Sequence, residues 1–462
     1  MKTFLFLATL ATLVATTAPA QRLHLETDSL ALVQARARQQ HQLVLAVVAA
    51  PVPPASVKLS PEARKAQSQS GLTAPAVVQA LAPDVLVKEV PFNSAEAGRL
   101  GREYGITSYP TYLYFAPDGA LLYRRFGNAS AAQPYLKDIA VARQELANPH
   151  NLSYYEIEYA RGNRDMALLH DYLAKRQQLG QAVPPAVLDL YAEQLPAGAF
   201  NRGAVVQFIL EQGPVVGSRT YQLTHLNQLL IDSLYRVLPL SQRQALNNRM
   251  ISRTIQEAVA RRDENLARQG ANFARGTWSP NYVRGNRAYE TNMLDFYRLT
   301  KDTANYLPQV TSFYQRYYMS IPADSARKAL AAQQQAQQAA QQRVAAAGGF
   351  KPGTVMVATT VRRAGPEPAF VNELNTGAWN VYLTGTRNRR YLTQAAEWSK
   401  RTVDLAPRAA YYDTLAHLLY RLRYFAEAEA MQQQAVARAG ADGMSPDQFA
   451  ADLAKMKARR PL

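Results

Sequence analysis

The chain has 462 residues, 48% of them hydrophobic and 19% charged, with 26 tyrosines and no cysteine. That length suits two or three globular domains rather than one. The missing sulfur excludes disulfide bridges, thiol nucleophiles and cysteine metal ligands, while the formal charge of +17 directs attention to acidic partners.

Met1–Ala20 carries Lys2, an apolar run Phe4–Val14 and small residues at Ala18 and Ala20. This is the pattern of a cleavable secretory signal ending before Gln21. The run is shorter than the roughly 20 apolar residues that a spanning helix needs, so no membrane span is expected. With no cysteine after the signal, a lipoprotein anchor is excluded and a periplasmic or secreted protein is expected.

In chain order, Leu30, Val33 and Ala37 share one face of a predicted helix over Ser29–Gln40. Leu43–Ala49 is a short continuous apolar run, as in a central strand covered on both faces. A proline-rich loop, Ala50–Ala55, follows. Ser60-Pro61-Glu62 reads as a helix start, and the helix, broken near Gly71–Pro75, continues to Leu81. Val85–Val90 is the next strand, and Ser94-Ala95-Glu96 opens a helix that stops at Tyr104-Gly105. Ser108-Tyr109-Pro110-Thr111 leads into a strand over Thr111–Phe115, where proline is tolerated at the start. Pro117-Asp118-Gly119 predicts a tight turn, Leu121–Phe126 the returning strand and Ala131–Leu146 a closing helix.

This order of strands and helices, with Gly105-Ile106 and Tyr109-Pro110-Thr111 ahead of a hairpin, resembles the thioredoxin fold over about residues 23–146. The resemblance implies an α/β domain with a cis Tyr109–Pro110 bond. In that family the chain leaves the central strand into a Trp-Cys-x-x-Cys redox loop; here Ala50–Ala55 stands in that place. Thiol–disulfide exchange needs a thiolate, so no oxidoreductase or isomerase of the usual kind is expected. Ser56 and Ser60 have no histidine–carboxylate partners legible nearby to make a substitute nucleophile. The family also pairs an extended substrate chain with the backbone beside this proline. Tyr109, Pro110 and Thr111 are therefore a candidate peptide-binding edge, set against the plainer reading that Pro110 only shapes the start of the strand.

Beyond Asn148-Pro149-His150 the pattern becomes helical. Predicted helices include Tyr154–Arg161, Met166–Gln178, Leu223–Val237, Ser241–Gln269 with a break, and Thr303–Met319. Near the end, Leu392–Leu405 is followed about 33 residues later by Phe425–Ala439, with alanines at 416, 428 and 435 where paired helices would touch. These features resemble tetratricopeptide repeats, and that resemblance implies a protein-binding helical array. The Ala- and Gln-rich stretch Ala329–Ala347 leads into Gly348–Glu367, which reads as a linker. The expected organisation is a signal over 1–20, a thioredoxin-like α/β domain over 21–147, helices with irregular repeats over 151–347, a linker over 348–367 and tetratricopeptide-like all-α repeats over 368–462.

The six histidines, at 24, 41, 150, 170, 225 and 417, never fall at metal-ligand spacing, so no metal is expected; His417 reads as a hydrogen-bonded core residue. Asp413 reads as facing solvent or bonding a neighbouring helix end. Nothing in the sequence signals a phosphate loop, a dinucleotide site or a Ser-His-Asp set, and no cofactor is expected. Lys and Arg are scattered among glutamates without a basic motif, so no nucleic-acid partner is expected; acidic glycan or the envelope surface remains a third reading of the charge. The leading expectation is an exported, non-catalytic protein that binds a protein or peptide partner. The alternative is a helper of periplasmic redox or folding processes that acts through a partner's cysteines.

Overall fold

A computed structural model describes residues 23–50, 70–92, 94–106, 108–346 and 369–462. The first elements are α1 (Leu30–Gln40), β1 (Leu43–Val48), α2 (Pro75–Leu81), β2 (Val85–Val90), α3 (Ala95–Glu103), β3 (Thr111–Phe115), β4 (Leu121–Phe126) and α4 (Gln133–Ala147). The signal segment, the proline-rich loop after Ala50, the helix start at 60–62 and the expected linker over 348–367 lie outside the described residues.

The four strands form one mixed sheet in the order β2-β1-β3-β4. β1 runs parallel to β2 and antiparallel to β3, which is antiparallel to β4. β1 and β3 are therefore interior, which is why LVLAVV and TYLYF are apolar on both faces. The predicted turn is present: the Ala116 N–H donates to Ala120 O at 2.8 Å, and Asp118 Oδ1 accepts the Ala120 N–H at 2.9 Å. Alternation along each strand divides the core. Leu43, Leu45, Tyr112 and Tyr114 face α2 and α4, meeting Leu81 and Ile139. Val44, Ala46, Leu113 and Phe115 face the other way, toward α1 and α3.

Helices then follow: α5 (Leu152–Ala160), α6 (Met166–Leu179), α7 (Pro185–Gln194), α8 (Gly203–Gln212), α9 (Arg219–Thr224), α10 (Gln228–Val237), α11 (Leu240–Arg261), α12 (Glu264–Gly276), α13 (Tyr282–Leu299), α14 (Thr303–Tyr314), α15 (Ala323–Ala346), α16 (Ala369–Leu383), α17 (Arg389–Leu405), α18 (Ala409–Arg421), α19 (Phe425–Ala439) and α20 (Asp447–Lys457). None of the described helices is long and apolar enough to cross a membrane.

Side-chain caps decide several boundaries that periodicity blurred. The helix expected over Leu223–Val237 is two, because Asn227 Oδ1 accepts the Leu230 N–H at 3.1 Å and starts α10 afresh. The break expected within Ser241–Gln269 falls at Arg262-Asp263, where Asp263 Oδ1 accepts the Leu266 N–H at 3.0 Å and caps α12. The stretch expected to end as one helix at Met319 changes winding instead: Gln315–Met319 is a π-helical turn.

The face of the sheet formed by Leu113 and Phe115 does not end at α1 and α3. Its core continues into α5, α6, α7 and α8 through Leu152, Leu169, Leu173, Leu188 and Ile209. A second large core joins α11–α14 to α16–α18, with Tyr314 stacked on Trp398 at 4.8 Å. At the end of the chain, Ala416, Ala428 and Ala435 are wholly buried between α18, α19 and α20. Small side chains there allow close helix approach.

Candidate functional site

The residues singled out in sequence sit at the start of β3. The Tyr109–Pro110 bond is cis. The Pro110 carbonyl accepts the Gly127 N–H at 2.8 Å, tying the start of β3 to the end of β4. Thr111 is wholly buried, in register with Val48 on one side and Phe126 on the other, and its hydroxyl donates to the Ser108 carbonyl. Tyr109 and Pro110 are half-buried. Tyr109 meets Phe92 edge-on, with ring centroids 4.7 Å apart. Of the three residues, Tyr109 and Pro110 are thus partly open, whereas Thr111 belongs to the sheet interior.

Beside the sheet, a groove of about 730 Å³ runs between α1, α3, the 117–120 turn, α5 and α6. Its wall mixes apolar side chains such as Leu121 and Ile157 with polar ones that are held by specific bonds. Arg38 Nη2 donates to Asp118 O at 2.7 Å, and Ser153 Oγ to Asp118 Oδ2 at 2.6 Å. Arg176 Nη1 donates to Glu156 at 3.1 Å, and its Nε to Ala182 O at 3.0 Å. Burial pushes the Glu156 carboxyl up, partly reversed by Arg176. Burial also pushes the Tyr104 phenol up, so it stays a neutral donor at any physiological pH.

A second cavity, of about 210 Å³, shares Arg102, Glu103, Gln181 and Ala182 with the first and continues it toward α8 and α11. Sequence reasoning read Tyr104-Gly105 as a helix stop and Asp118-Gly119 as part of a turn, and placed none of the lining residues in a site. They come from helices far apart in the chain, and no local spacing marks them.

The other concentration of titratable groups is Asp413, His417 and Asp452, whose ligand atoms lie within 4.8 Å of one another. It is the one such group of three among the described residues. His417 Nδ1 lies 2.8 Å from the Asp413 main-chain oxygen, and its Nε2 lies 4.0 Å from Asp452 Oδ2. Both carboxylates already have donors. Gln432 Nε2 donates to Asp413 at 2.8 Å, while Gln448 and Lys455 donate to Asp452 at 2.8 and 3.0 Å. Burial pushes Asp413 up against the pull of His417 and Gln432. Burial acts the same way on Asp452, but Lys455, Gln448 and His417 more than reverse it and hold that carboxyl below its ordinary range. With an ammonium supplying the positive charge, this is a clamp between α18 and α20. His417 is buried and hydrogen-bonded, as expected; Asp413 is not solvent-facing but bonds the neighbouring helix through Gln432.

The other described histidines with ring contacts pack singly, as His170 does on Phe208 at 4.7 Å and His225 on Tyr221 at 4.0 Å. Set against known protein families, curated proteins and solved structures, the chain matches none of them.

Proposed function

We propose that this is an exported, non-catalytic protein in which a thioredoxin-like α/β unit and a tetratricopeptide-like helical region together bind a protein or peptide. One observation carries the reading: the strand order β2-β1-β3-β4, with Tyr109-Pro110-Thr111 leading into β3, occurs in a chain without a single cysteine. A fold of that kind without sulfur has shape and surface to offer rather than thiol chemistry. The groove between the sheet and α5–α6 supports a binding role, being concave, lined by both apolar and polar side chains and built from elements of both regions. The Tyr109–Pro110 edge is a second contact for an extended chain.

A photo-crosslinking residue placed at Ile157, a groove-lining side chain that is 48% exposed, tests this in an extract of the cell envelope. A defined polypeptide should be captured there and not from Leu299 on α13, which is 51% exposed and away from the groove. The purified chain should reduce insulin no faster than buffer. Turnover of a thiol substrate, or equal capture from both positions, would sink the proposal.

A second reading, assistance to redox or folding processes through a partner's cysteines, draws on the same strand order. It requires the captured partner to carry a reactive cysteine pair.

A further inference from the structure

The 210 Å³ cavity is walled by the loop after α3, the ends of α6 and α8, and the middle of α11. Three arginines line it: Arg102, Arg249 and Arg253. Arg249 is held in place. An ideal Cβ on Gly213 would lie 2.6 Å from Arg249 Cγ, so the side chain crosses the bare glycine, and its guanidinium donates to the Glu211 carbonyl. Arg253 has no hydrogen-bond or carboxylate partner among the described residues. Burial pulls its pKa down, Arg176 and Arg249 add to that, and Glu257 offsets it in part. Glu257 Oε1 is itself taken by Arg261 Nε at 2.6 Å. Of the two acids in the cavity wall, Glu103 pairs with Arg99 at 3.2 Å, while Glu211 accepts neutral amide N–H groups from Gln177 and Gln207, both at 2.9 Å, so the three arginines exceed the wall's acids by one charge.

Against this surplus of positive charge stand acceptors with nothing to accept. Gln181 and Gln212 line the same cavity, and the side-chain oxygen of each is buried without a hydrogen-bond partner among the described residues. Gln212 is 2% exposed. A buried acceptor left unmatched is unfavourable, and so are guanidinium groups brought together without an anion. A ligand that presents an anion together with N–H donors answers both at once. A peptide's C-terminal end is such a group, because its carboxylate matches the guanidinium fork and its last amides supply the donors.

We propose that this cavity binds the C-terminal carboxylate of a peptide, with Arg253 and Arg249 receiving the carboxylate and the Gln181 and Gln212 side-chain oxygens accepting amide N–H groups. The cavity and the larger groove have Arg102, Glu103, Gln181 and Ala182 in common, and on this proposal the rest of the chain passes these residues along α3 and α6 toward the groove. The inference rests on the peptide-binding reading above and names which end of the peptide is held.

The test uses the full chain and three probes followed by ligand-observed NMR: N-acetyl-trialanine with a free carboxylate, its C-terminal amide, and inorganic phosphate. The free acid should bind saturably, and the amide at least about tenfold more weakly, as loss of a charge-assisted hydrogen bond requires. Arg253→Gln should weaken the acid to the level of the amide, with Arg253→Lys between the two. Thermal unfolding of both variants should show an intact fold; if Arg253→Gln unfolds, Gln212→Glu, which sets a carboxylate against the ligand, should lower affinity in the same order. Equal binding of acid and amide, absence of binding by either, or phosphate displacing the tripeptide at lower concentration than the tripeptide itself requires would each overturn the assignment. Capture at Ile157 that survives Arg253→Gln leaves the adaptor reading standing and removes this one. Carboxylate binding with no captured partner does the reverse.

Discussion

Arg125 shows how one residue can answer for a buried charge. It reaches Asp138 at 3.0 Å across the sheet–helix contact and lies over the Tyr135 ring at 4.5 Å. Burial pushes the Asp138 carboxyl up, and Arg125 pulls against it. Replacing the arginine leaves the carboxylate buried with the Tyr123 hydroxyl but without a countercharge, so Arg125→Met should destabilise the protein by roughly 3 kcal/mol in a denaturant titration at pH 7. The sign of the pH dependence follows from the raised pKa. The folded state favours the protonated acid, so the deficit is present above the folded pKa and should shrink as the pH falls through it. Gly377 makes a steric demand of a different kind. A Cβ there would lie 2.2 Å from the Tyr314 ring, and that ring is stacked on Trp398 and cannot yield. Gly377→Ala should cost about 1–3 kcal/mol by overpacking, despite alanine's better helix propensity, and the melting temperature should fall.

Among the elements, α20 adds a polar contact to the apolar burial of Phe449 and Met456. Its Asp452 faces His417 on α18, with Lys455 and Gln448 on its own helix, and Asp413 and Gln432 beyond the imidazole. Trp379 and Tyr382 of α16 close the other side of the ring, edge-on at 5.4 and 5.3 Å. Because Lys455, Gln448 and His417 hold the Asp452 pKa below its ordinary range, its contribution is present above the unfolded carboxylate value and lost as the pH falls through the lower folded value. Asp413, pushed up, carries the opposite sign. Hydrogen exchange across α20, corrected for intrinsic rates, should therefore accelerate only in strong acid. In Asp452→Asn it should be faster at neutral pH and lose that acid step; an unchanged acid step would place the dependence elsewhere.

At the scale of the molecule, the sheet and the first helices share their apolar interior. Leu169 of α6 is wholly buried in the core that also holds Val44, Leu113 and Phe115. Leu169→Ala should cost about 2–5 kcal/mol. Its effect should appear in the sheet as well as in the helix: amides of β1 and β3 should lose protection together with those of α6. A change confined to α6 would mean that the two regions open independently.

Local order was legible in the residues because short-range physics decides it. A continuous apolar run marked β1, Ser108-Tyr109-Pro110-Thr111 the entry to β3 and Pro117-Asp118-Gly119 the turn, and Ser94, whose Oγ accepts the Ala97 N–H at 3.0 Å, marked the start of α3. The absence of cysteine, and with it the loss of thiol chemistry, is likewise complete in the sequence. Where the helices end was read less well, since Asn227 and Asp263 act as caps only once the chain turns at them. The cavity of Arg249, Arg253, Gln181 and Gln212, and the clamp of His417 on Asp452, were beyond sequence reading altogether. Each is made by side chains from separate helices, brought together when apolar faces are buried. Their chemistry lies in distances between segments, and a linear pattern carries no such distance.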